Sequence, residues 1–452
     1  LQVLDLASGK ESARLTLDHL PVSGLPPAAQ EEARKAWHDV LADFRTDYTI
    51  FNEYITADEA GKEAAKAKFK ALGRDYGGWK GGGYGQLRSL KPKCDEAKAK
   101  TAAKAGLTLA TWQHGCGMGQ SCFGQTFPTP VTDGKTVYIA TAFGSFFAVD
   151  GAGKLLWSAY LPGKPGEYCR NGRSPLIYGN LLISDVTAQV RGIDRSTGKL
   201  LWSHPTDDET WMSPVIITTG GKDVLLCFNK KAFSLPDGKP LTIEGGTDFG
   251  AMALVKPDER DVVFFTGGGE HGGWENKGKC ATPPPSAVRF ALKGDTLVGT
   301  VLWSGIDGQA VSSHTGLLPL PGGKLLHAPS GSVYEALTGK RVAGTGDRKK
   351  SVVVPSHHYW LVAGDRIYGL NAAGGKEGSP GQTATLACWS LDGRKLGETT
   401  FANAPVEGEK KQQIIEQNGY ATWMFSYASP FTIHGDRILV RSYDFLWCLG
   451  AK

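Results

Sequence analysis

Two stretches of the chain, Ala148–Trp157 (AVDGAGKLLW) and Gly192–Trp202 (GIDRSTGKLLW), repeat one another. In each, an aspartate is followed by a glycine, a lysine, two leucines and a tryptophan. Alternating apolar residues precede both stretches. The pattern therefore predicts a strand, a tight turn at Gly153 or Gly198, and a second strand.

Weaker copies of this pattern recur along the chain. They are Val3–Ala13, Phe233–Leu241, a degenerate copy that ends at Trp303, Tyr334–Ala343 and Trp389–Leu396. A second shared phrase, SPLIYGNLLISD at Ser174–Asp185 and SPFTIHGDRILVRS at Ser429–Ser442, predicts two further strands in each unit. One repeat is thus four short antiparallel strands.

A four-stranded sheet alone has two faces to bury and two exposed edges. Radial stacking of such sheets buries the faces, so the sequence predicts an all-β protein with a single β-propeller. Seven turn signals and the C-terminal unit Ser429–Gly450 predict eight four-stranded blades. Seven blades are the alternative, if the N-terminal strands close the last blade.

The phrase A-x-D-x-x-T-G-x-x-x-W resembles the tryptophan docking motif of the pyrroloquinoline quinone (PQQ) propeller repeat. The residues that match it are Asp194, Thr197, Gly198 and Trp202, with Gly192 in place of the alanine. The resemblance implies that Trp157 and Trp202 are largely buried and lock neighbouring blades together. The chain also resembles non-catalytic β-propellers of the cell envelope, such as the outer-membrane assembly lipoprotein.

The chain divides into three parts. Residues 1–20 are predicted to form first-blade strands, residues 21–110 a helical insertion, and residues 111–452 the remaining blades. In the insertion, apolar residues recur at spacings of three and four from residue 33 to 55, and a second helix is predicted at roughly Asp58 to Leu72. These helices predict a hairpin. Its lysine-rich part is either a solvated face or a docking arm for a partner or an anionic surface.

Composition narrows the classes of function. The formal net charge of +5 over 452 residues argues against a nucleic-acid binder, and no apolar run is long enough to span a bilayer. The chain starts at Leu1 without methionine and within a strand-like pattern, so we expect a processed or incomplete N-terminus at which a signal peptide or lipid anchor would not be seen. The resemblance to envelope propellers implies a periplasmic or secreted protein, with a lipid anchor as an open alternative. Cys227, Cys388 and Cys448 lie in apolar runs and are predicted to be buried thiols.

The candidate binding site is the mouth of the propeller channel. The segments that precede inner strands converge there, which makes the mouth the default binding site. We call them the mouth segments; they are residues 114–125, 168–173, 210–213, 247–248, 312–315, 356–360 and 420–427. The predicted lining residues are His114, Arg170, Asn171, Asp248, His314, His357 and Trp423.

One of these segments, TWQHGCGMGQSCFGQ at residues 111–125, is rich in sulfur. His114, Cys116 and Cys122 are the ligand types that copper or zinc binds. The spacing matches no known metal signature. A plain loop with free thiols, a local disulfide and a metal site all stay open.

Two functions compete. The first is a non-catalytic binding or scaffold protein of the cell envelope with a protein or glycan partner. The second is a quinoprotein dehydrogenase that uses PQQ and calcium. Dehydrogenases of that family carry a disulfide between two adjacent cysteines, and no Cys-Cys pair occurs in this chain. Asp248 and Asp307 are the candidates for a catalytic aspartate, and neither lies in a family motif. We therefore expect a binding protein.

Overall fold

The architecture is taken from a computed structural model. It describes residues 2–5, 8–15, 17, 28, 29, 31, 32, 35, 46, 50, 53, 58–72, 129–141, 144–161, 163, 174–206, 213–227, 231–246, 252–256, 258–266, 285–305, 317–327, 332–344, 359–373, 383–402, 431–441 and 446–450. The chain forms two compact units. The first comprises Leu1–Pro214, Pro236–Gly238 and Gln413–Tyr420, and the second comprises Val215–Leu235, Lys239–Gln412 and Ala421–Lys452.

The first unit holds a hairpin and two four-stranded antiparallel sheets. Its strands are β1 (Gln2–Leu4) and β2 (Glu11–Arg14); β3 (Val131–Thr132), β4 (Thr136–Ala140), β5 (Ser145–Asp150) and β6 (Leu155–Tyr160); and β7 (Leu176–Tyr178), β8 (Leu181–Val186), β9 (Gln189–Asp194) and β10 (Leu200–Pro205). Within each sheet, consecutive strands pair with one another.

The second unit continues the same arrangement. Its strands are β11 (Val215–Thr219), β12 (Lys222–Cys227), β13 (Lys231–Ser234) and β14 (Pro240–Gly245); β15 (Met252–Lys256), β16 (Glu259–Thr266), β17 (Ser286–Lys293) and β18 (Thr296–Ser304); β19 (Leu317–Leu320), β20 (Lys324–His327), β21 (Ser332–Glu335) and β22 (Arg341–Ala343); β23 (Tyr359–Ala363), β24 (Arg366–Ala373), β25 (Thr383–Ser390) and β26 (Lys395–Ala402); and β27 (Phe431–His434), β28 (Arg437–Arg441) and β29 (Leu446–Gly450). Parallel pairing of β14 with β18 joins two of these sheets into one of eight strands.

Successive sheets within a unit pack through apolar side chains. In the first unit, Phe146 of one sheet and Leu182 of the next belong to one cluster, and both are fully buried. In the second unit, Leu326 and Trp389 belong to a cluster shared by β19–β22 and β23–β26. Packing of four-stranded meanders in this way is the blade arrangement of a propeller. The all-β, propeller-like prediction is confirmed, whereas the count of eight blades stays a prediction.

The predicted turns and locking contacts are present. All seven predicted turn glycines (Gly9, Gly153, Gly198, Gly238, Gly294, Gly339 and Gly393) adopt positive φ angles between 61° and 89°. The indole nitrogen of Trp202 donates a hydrogen bond of 3.0 Å to the carbonyl oxygen of Pro236. Trp303 donates in the same way to Ala336, at 2.7 Å. We call each such contact between a tryptophan and the following turn a tryptophan dock.

Two predictions about burial need correction. Trp157 and Trp202 are half-buried rather than largely buried, because each lies on the fourth, outermost strand of its sheet. Cys227 is buried as expected, but Cys388 is half-buried and Cys448 is exposed. Cys448 lies on β29, which pairs with β28 alone among the described strands.

The second predicted helix of the insertion is present as α1 (Glu59–Ala71). Asp58 caps its N-terminus, and the helix ends at Leu72, as the sequence predicts. The separate positions described between residues 28 and 53 are also helical, but the hairpin stays a prediction. Lysines of α1 lie next to glutamates at Lys62–Glu59, Lys66–Glu63 and Lys68–Glu53. Within the described part of the chain, no helix has the length and apolarity needed to cross a membrane.

Candidate functional site

Each four-stranded sheet has one end where its first and third strands begin and its second and fourth strands end. We call this the loop end; the opposite end carries the tryptophan docks. In the sheet β7–β10, Val186 lies opposite Gln189, and Gln189 lies opposite Pro205, so the loop end is well defined. The predicted mouth segments precede a first strand, and all except the one at residues 114–125 follow a fourth strand. They therefore leave and re-enter the sheets at the loop end.

Three residues at the loop end of the first unit form a hydrogen-bonded row. The amide of Thr129 donates to Oγ of Ser174 at 3.0 Å, and the amide of Ser174 donates to Oγ of Ser213 at 3.0 Å. Each of the three stands directly before a proline at the start of a repeat. We call Thr129, Ser174 and Ser213 the serine ladder. It brings the ends of three predicted mouth segments next to one another.

A buried arginine lies beside the turn between β8 and β9. The side chain of Arg191 is only 2% exposed. Its Nη1 donates to the carbonyl oxygen of Val186 at 2.8 Å, and its Nη2 donates to Oγ1 of Thr187 at 3.0 Å. Burial lowers the pKa of Arg191 to about 10, and the nearby Asp185 carboxylate opposes that shift. The guanidinium thus remains a cation at neutral pH.

The turn that Arg191 contacts has an unusual backbone. Thr187 and Ala188 have φ angles of 55° and 54°. Two positive φ angles are typical of a type I′ hairpin turn, which normally contains Asn-Gly. A β-branched threonine in this region costs of order 1–3 kcal/mol, and such strain persists only where the surroundings enforce it. Here the surroundings are the pairing of Val186 with Gln189 on either side of the turn and the hydrogen bonds from Arg191.

Two further residues bind to this turn from the neighbouring segments. The amide of Thr206, directly after β10, donates to the carbonyl oxygen of Ala188 at 2.9 Å, and its hydroxyl donates to Asp185 at 2.8 Å. Gly163, shortly after β6, lies so close that an added Cβ would fall 2.4 Å from the carbonyl oxygen of Thr187. We call Asp185, Thr187, Arg191 and Thr206 the arginine node.

Part of the chain that contains the repeats matches a known protein family. Residues 101–239 match the family model described as "Outer membrane protein assembly factor BamB". This range contains the docks of Trp157 and Trp202, as well as the serine ladder and the arginine node. This part of the chain resembles the PQQ-like β-propeller repeat. No curated protein sequence matches the chain.

Solved structures with similar strand arrangements include BamB and two dehydrogenases. BamB from Moraxella catarrhalis is 14% identical, with a TM-score of 0.42, over 70% of this chain and 82% of that one. The quinohemoprotein alcohol dehydrogenase ADHIIG from Pseudomonas putida HK5 is 15% identical, with a TM-score of 0.44, over 72% of this chain and 64% of that one. A europium-containing methanol dehydrogenase is 11% identical, with a TM-score of 0.40, over 71% and 77% of the two chains. These scores are below 0.5, so no argument about function rests on them.

The PQQ-like repeat places Arg191 at a defined position. Arg191 stands three residues before the turn residue Asp194, and Phe147 stands three residues before Asp150 in the preceding repeat. Phe147 is buried among apolar residues, as expected for this position. Sequence analysis missed the arginine node because it considered only the alternation of apolar residues along this strand. A charged residue at a core position of the repeat was the available signal.

The second unit has a polar pair at the same position of the PQQ-like repeat. Ser332 stands three residues before Glu335, and it lies opposite His327 across β20 and β21. Both side chains are buried, and the ring of His327 lies edge-on to Tyr334 at 6.4 Å. His327 also lies opposite Leu317, just after the predicted mouth segment at residues 312–315. Sequence analysis missed this pair as well.

The predicted lining residues lie outside the described residues. They are His114, Arg170, Asn171, Asp248, His314, His357 and Trp423, together with Cys116 and Cys122. Their convergence stays a prediction. Among the side chains that the structure describes, no three histidines, cysteines or carboxylates converge as metal ligands. The described residues therefore assign no position for calcium, copper or zinc.

Proposed function

We propose that this chain is a non-catalytic PQQ-like propeller that binds a protein partner in the cell envelope through the loop end of its sheets. The observation that carries this proposal is the serine ladder. It holds the ends of three successive mouth segments side by side, although they are about forty residues apart in the sequence. Side chains from distant parts of the chain are thereby offered to one partner, as a contiguous binding surface requires.

The residues that lie below this proposed surface also support a binding function. The arginine node is buried, polar and hydrogen-bonded, and it lies under the starts of two mouth segments. A rigid scaffold below variable loops is the usual arrangement of a recognition surface. In the proposal, eight blades close the ring, and the helical hairpin at residues 21–110 projects from it.

The proposed partner and compartment follow from the matched family. Its printed description, an outer-membrane assembly factor, supports a protein partner and a periplasmic or secreted location, with a lipid anchor as a refinement. A glycan ligand at the same surface is the competing outcome. Against a quinoprotein dehydrogenase stands the lack of an adjacent cysteine pair in the sequence.

Site-specific photo-crosslinking tests the proposal. A photoreactive phenylalanine analogue is introduced at Arg170 or His314 in the predicted mouth. Matched controls carry it at Lys199 or Lys340, which are exposed at the dock end of the same sheets. The full chain is expressed with an envelope-targeting signal and irradiated in cells. We expect discrete protein adducts from the mouth positions only. Equal adducts from both ends, or none from the mouth, would contradict the proposal.

A second measurement addresses the cofactor. The purified chain is incubated with PQQ and calcium, desalted, and examined by absorbance. We expect no retained quinone spectrum. A retained spectrum together with dye reduction on an alcohol substrate would favour the quinoprotein dehydrogenase. Retention on immobilised glycan without protein adducts would favour the glycan ligand.

A further inference from the structure

The arginine node contacts the start of two mouth segments at once. Gly163, in the segment after β6, lies against Thr187. Thr206, in the segment after β10, is hydrogen-bonded to Ala188, the next residue of the same turn. The serine ladder joins the far ends of the same two segments, at Ser174 and Ser213. Both segments are therefore held at their two ends by described residues.

We propose that Arg191 is a positioning residue that sets how these two mouth segments leave the sheets. The inference concerns the residues below the proposed binding surface. It rests on the proposed function only where binding is measured.

The physical reason begins with the turn. Thr187 and Ala188 both have positive φ, a region in which residues other than glycine persist only where their surroundings enforce it. The two donor groups of the Arg191 guanidinium bond the backbone before the turn and the hydroxyl within it. The planar guanidinium group has donors in fixed directions, so it can hold two acceptors at a set spacing. The single ammonium group of a lysine does this less well.

The shape of the turn in its turn restrains the starts of the two mouth segments. The carbonyl oxygen of Ala188 faces the amide of Thr206 only while the turn keeps its shape. The close approach of Gly163 likewise depends on where the carbonyl oxygen of Thr187 lies. A change in the turn therefore moves the starts of both segments together. Phe147, at the equivalent position of the preceding repeat, has no such contacts to offer because its side chain is apolar.

Hydrogen exchange of the full chain, followed by mass spectrometry, tests this inference. The variants are Arg191→Met, which removes the cation, and Gly163→Ala, which keeps the guanidinium but places a Cβ 2.4 Å from the carbonyl oxygen of Thr187 and 3.0 Å from Nη2 of Arg191. Gly151→Ala is the matched control, because an added Cβ there meets nothing within 4 Å. We expect both test variants to speed exchange of the Thr206 amide by about tenfold or more. The amide of Gly198 at the dock end should be unchanged.

A conservative variant separates positioning from bulk stability. Arg191→Lys keeps the charge but loses the fork, so it should melt close to the wild type and still show fast exchange at Thr206. Restoration of slow exchange by lysine would mean that the charge alone matters, and would overturn the inference. The inference would also be overturned if Arg191→Met and Gly163→Ala fold and their Thr206 amides exchange within about twofold of the wild-type rate. If Arg191→Met does not fold, Arg191→Lys decides, because it keeps the charge and loses the fork.

Photo-crosslinking at Arg170 in the Gly163→Ala background links the inference to binding. Loss of the adducts with fast exchange supports both the positioning role and the proposed function. Fast exchange with unchanged adducts still supports the positioning role, but argues that the partner binds elsewhere. Unchanged exchange overturns the positioning role and leaves the proposed function to its own test.

Discussion

The indole nitrogen of Trp157 donates a hydrogen bond of 2.8 Å to the carbonyl oxygen of Arg195, which lies in the dock turn of the next sheet. The ring also covers Gly198, where an added Cβ would fall 2.6 Å from the indole. Arg195 in turn pairs with Asp133 of the first sheet, at 3.1 Å. A ring contact, a hydrogen bond and an ion pair thus join two sheets at one turn.

Trp157→Ala should destabilise the protein measurably. A fully buried aromatic costs about 3–5 kcal/mol on truncation, and Trp157 should cost somewhat less because it is half-buried. Leu156→Ala is the neighbouring control, since Leu156 is 50% exposed, and should stay within about 0.5 kcal/mol. Denaturant unfolding measures both. Equal midpoints for the two variants would mean that the dock contributes little to stability.

Trp202→Ala should separate stability from binding. Trp202 lies on β10 and bonds Pro236 at the dock end, away from the loop end. We therefore expect a lower melting temperature, with mouth adducts at Arg170 unchanged in photo-crosslinking below that temperature. Loss of the adducts in a protein that is still folded would show that the two ends are coupled.

The docks could be predicted from the sequence because their signals are local. A turn glycine and a tryptophan report a backbone conformation and a ring contact, and the ring contact is present for Trp157, Trp202 and Trp303. The sequence marked Trp303 only as the end of a degenerate copy, and in the structure its indole lies over Gly339 and donates to Ala336.

Other features depend on contacts that leave no local signal. The parallel pairing of β14 and β18 joins two sheets where β14 lacks a docking tryptophan. Its close contacts are between glycine backbones, and no periodic pattern of side chains marks them. The serine ladder was visible only as a repeated Ser-Pro phrase, since its hydrogen bonds connect different repeats. The mouth residues were inferred from connectivity, and the described residues do not reach them.

Gly245→Ala should weaken the pairing of β14 with β18. Gly245 has a φ of 70°, and an added Cβ would fall 2.5 Å from the carbonyl oxygen of Gly299. Strain of this kind costs of order 1–3 kcal/mol. We expect faster exchange of the Gly246 amide, which donates to Gly299 at 2.9 Å. Gly397→Ala is the control, because it meets nothing within 4 Å, and should be neutral. Unchanged exchange in Gly245→Ala would contradict a tight glycine contact.

Asp194→Asn should change the stability of the protein in acid. Hydrogen bonds from Ser196 and then Thr197 hold the pKa of the Asp194 carboxyl below its ordinary value of 3.8. A carboxyl with a lowered folded pKa adds stability above its unfolded pKa, and that stability is lost as the pH falls through the folded pKa. The melting temperature of the wild type should therefore fall more steeply below about pH 4 than that of Asp194→Asn. Parallel acid profiles for the two proteins would contradict this assignment.

Phe69→Ala should unfold α1 and leave the sheets largely intact. Phe69 and Ala65 lie four residues apart on one face of α1, and both are buried. Truncation of a buried phenylalanine costs about 3–5 kcal/mol, which is more than a single helix of this length can supply from its own backbone. Leu72→Ala is the matched control at the end of the same helix, because Leu72 is 45% exposed. We expect Phe69→Ala to lose helical circular dichroism at a temperature where the near-ultraviolet signal of the tryptophan docks persists. One cooperative transition, shifted as a whole, would instead show that the insertion is part of the core of the first unit.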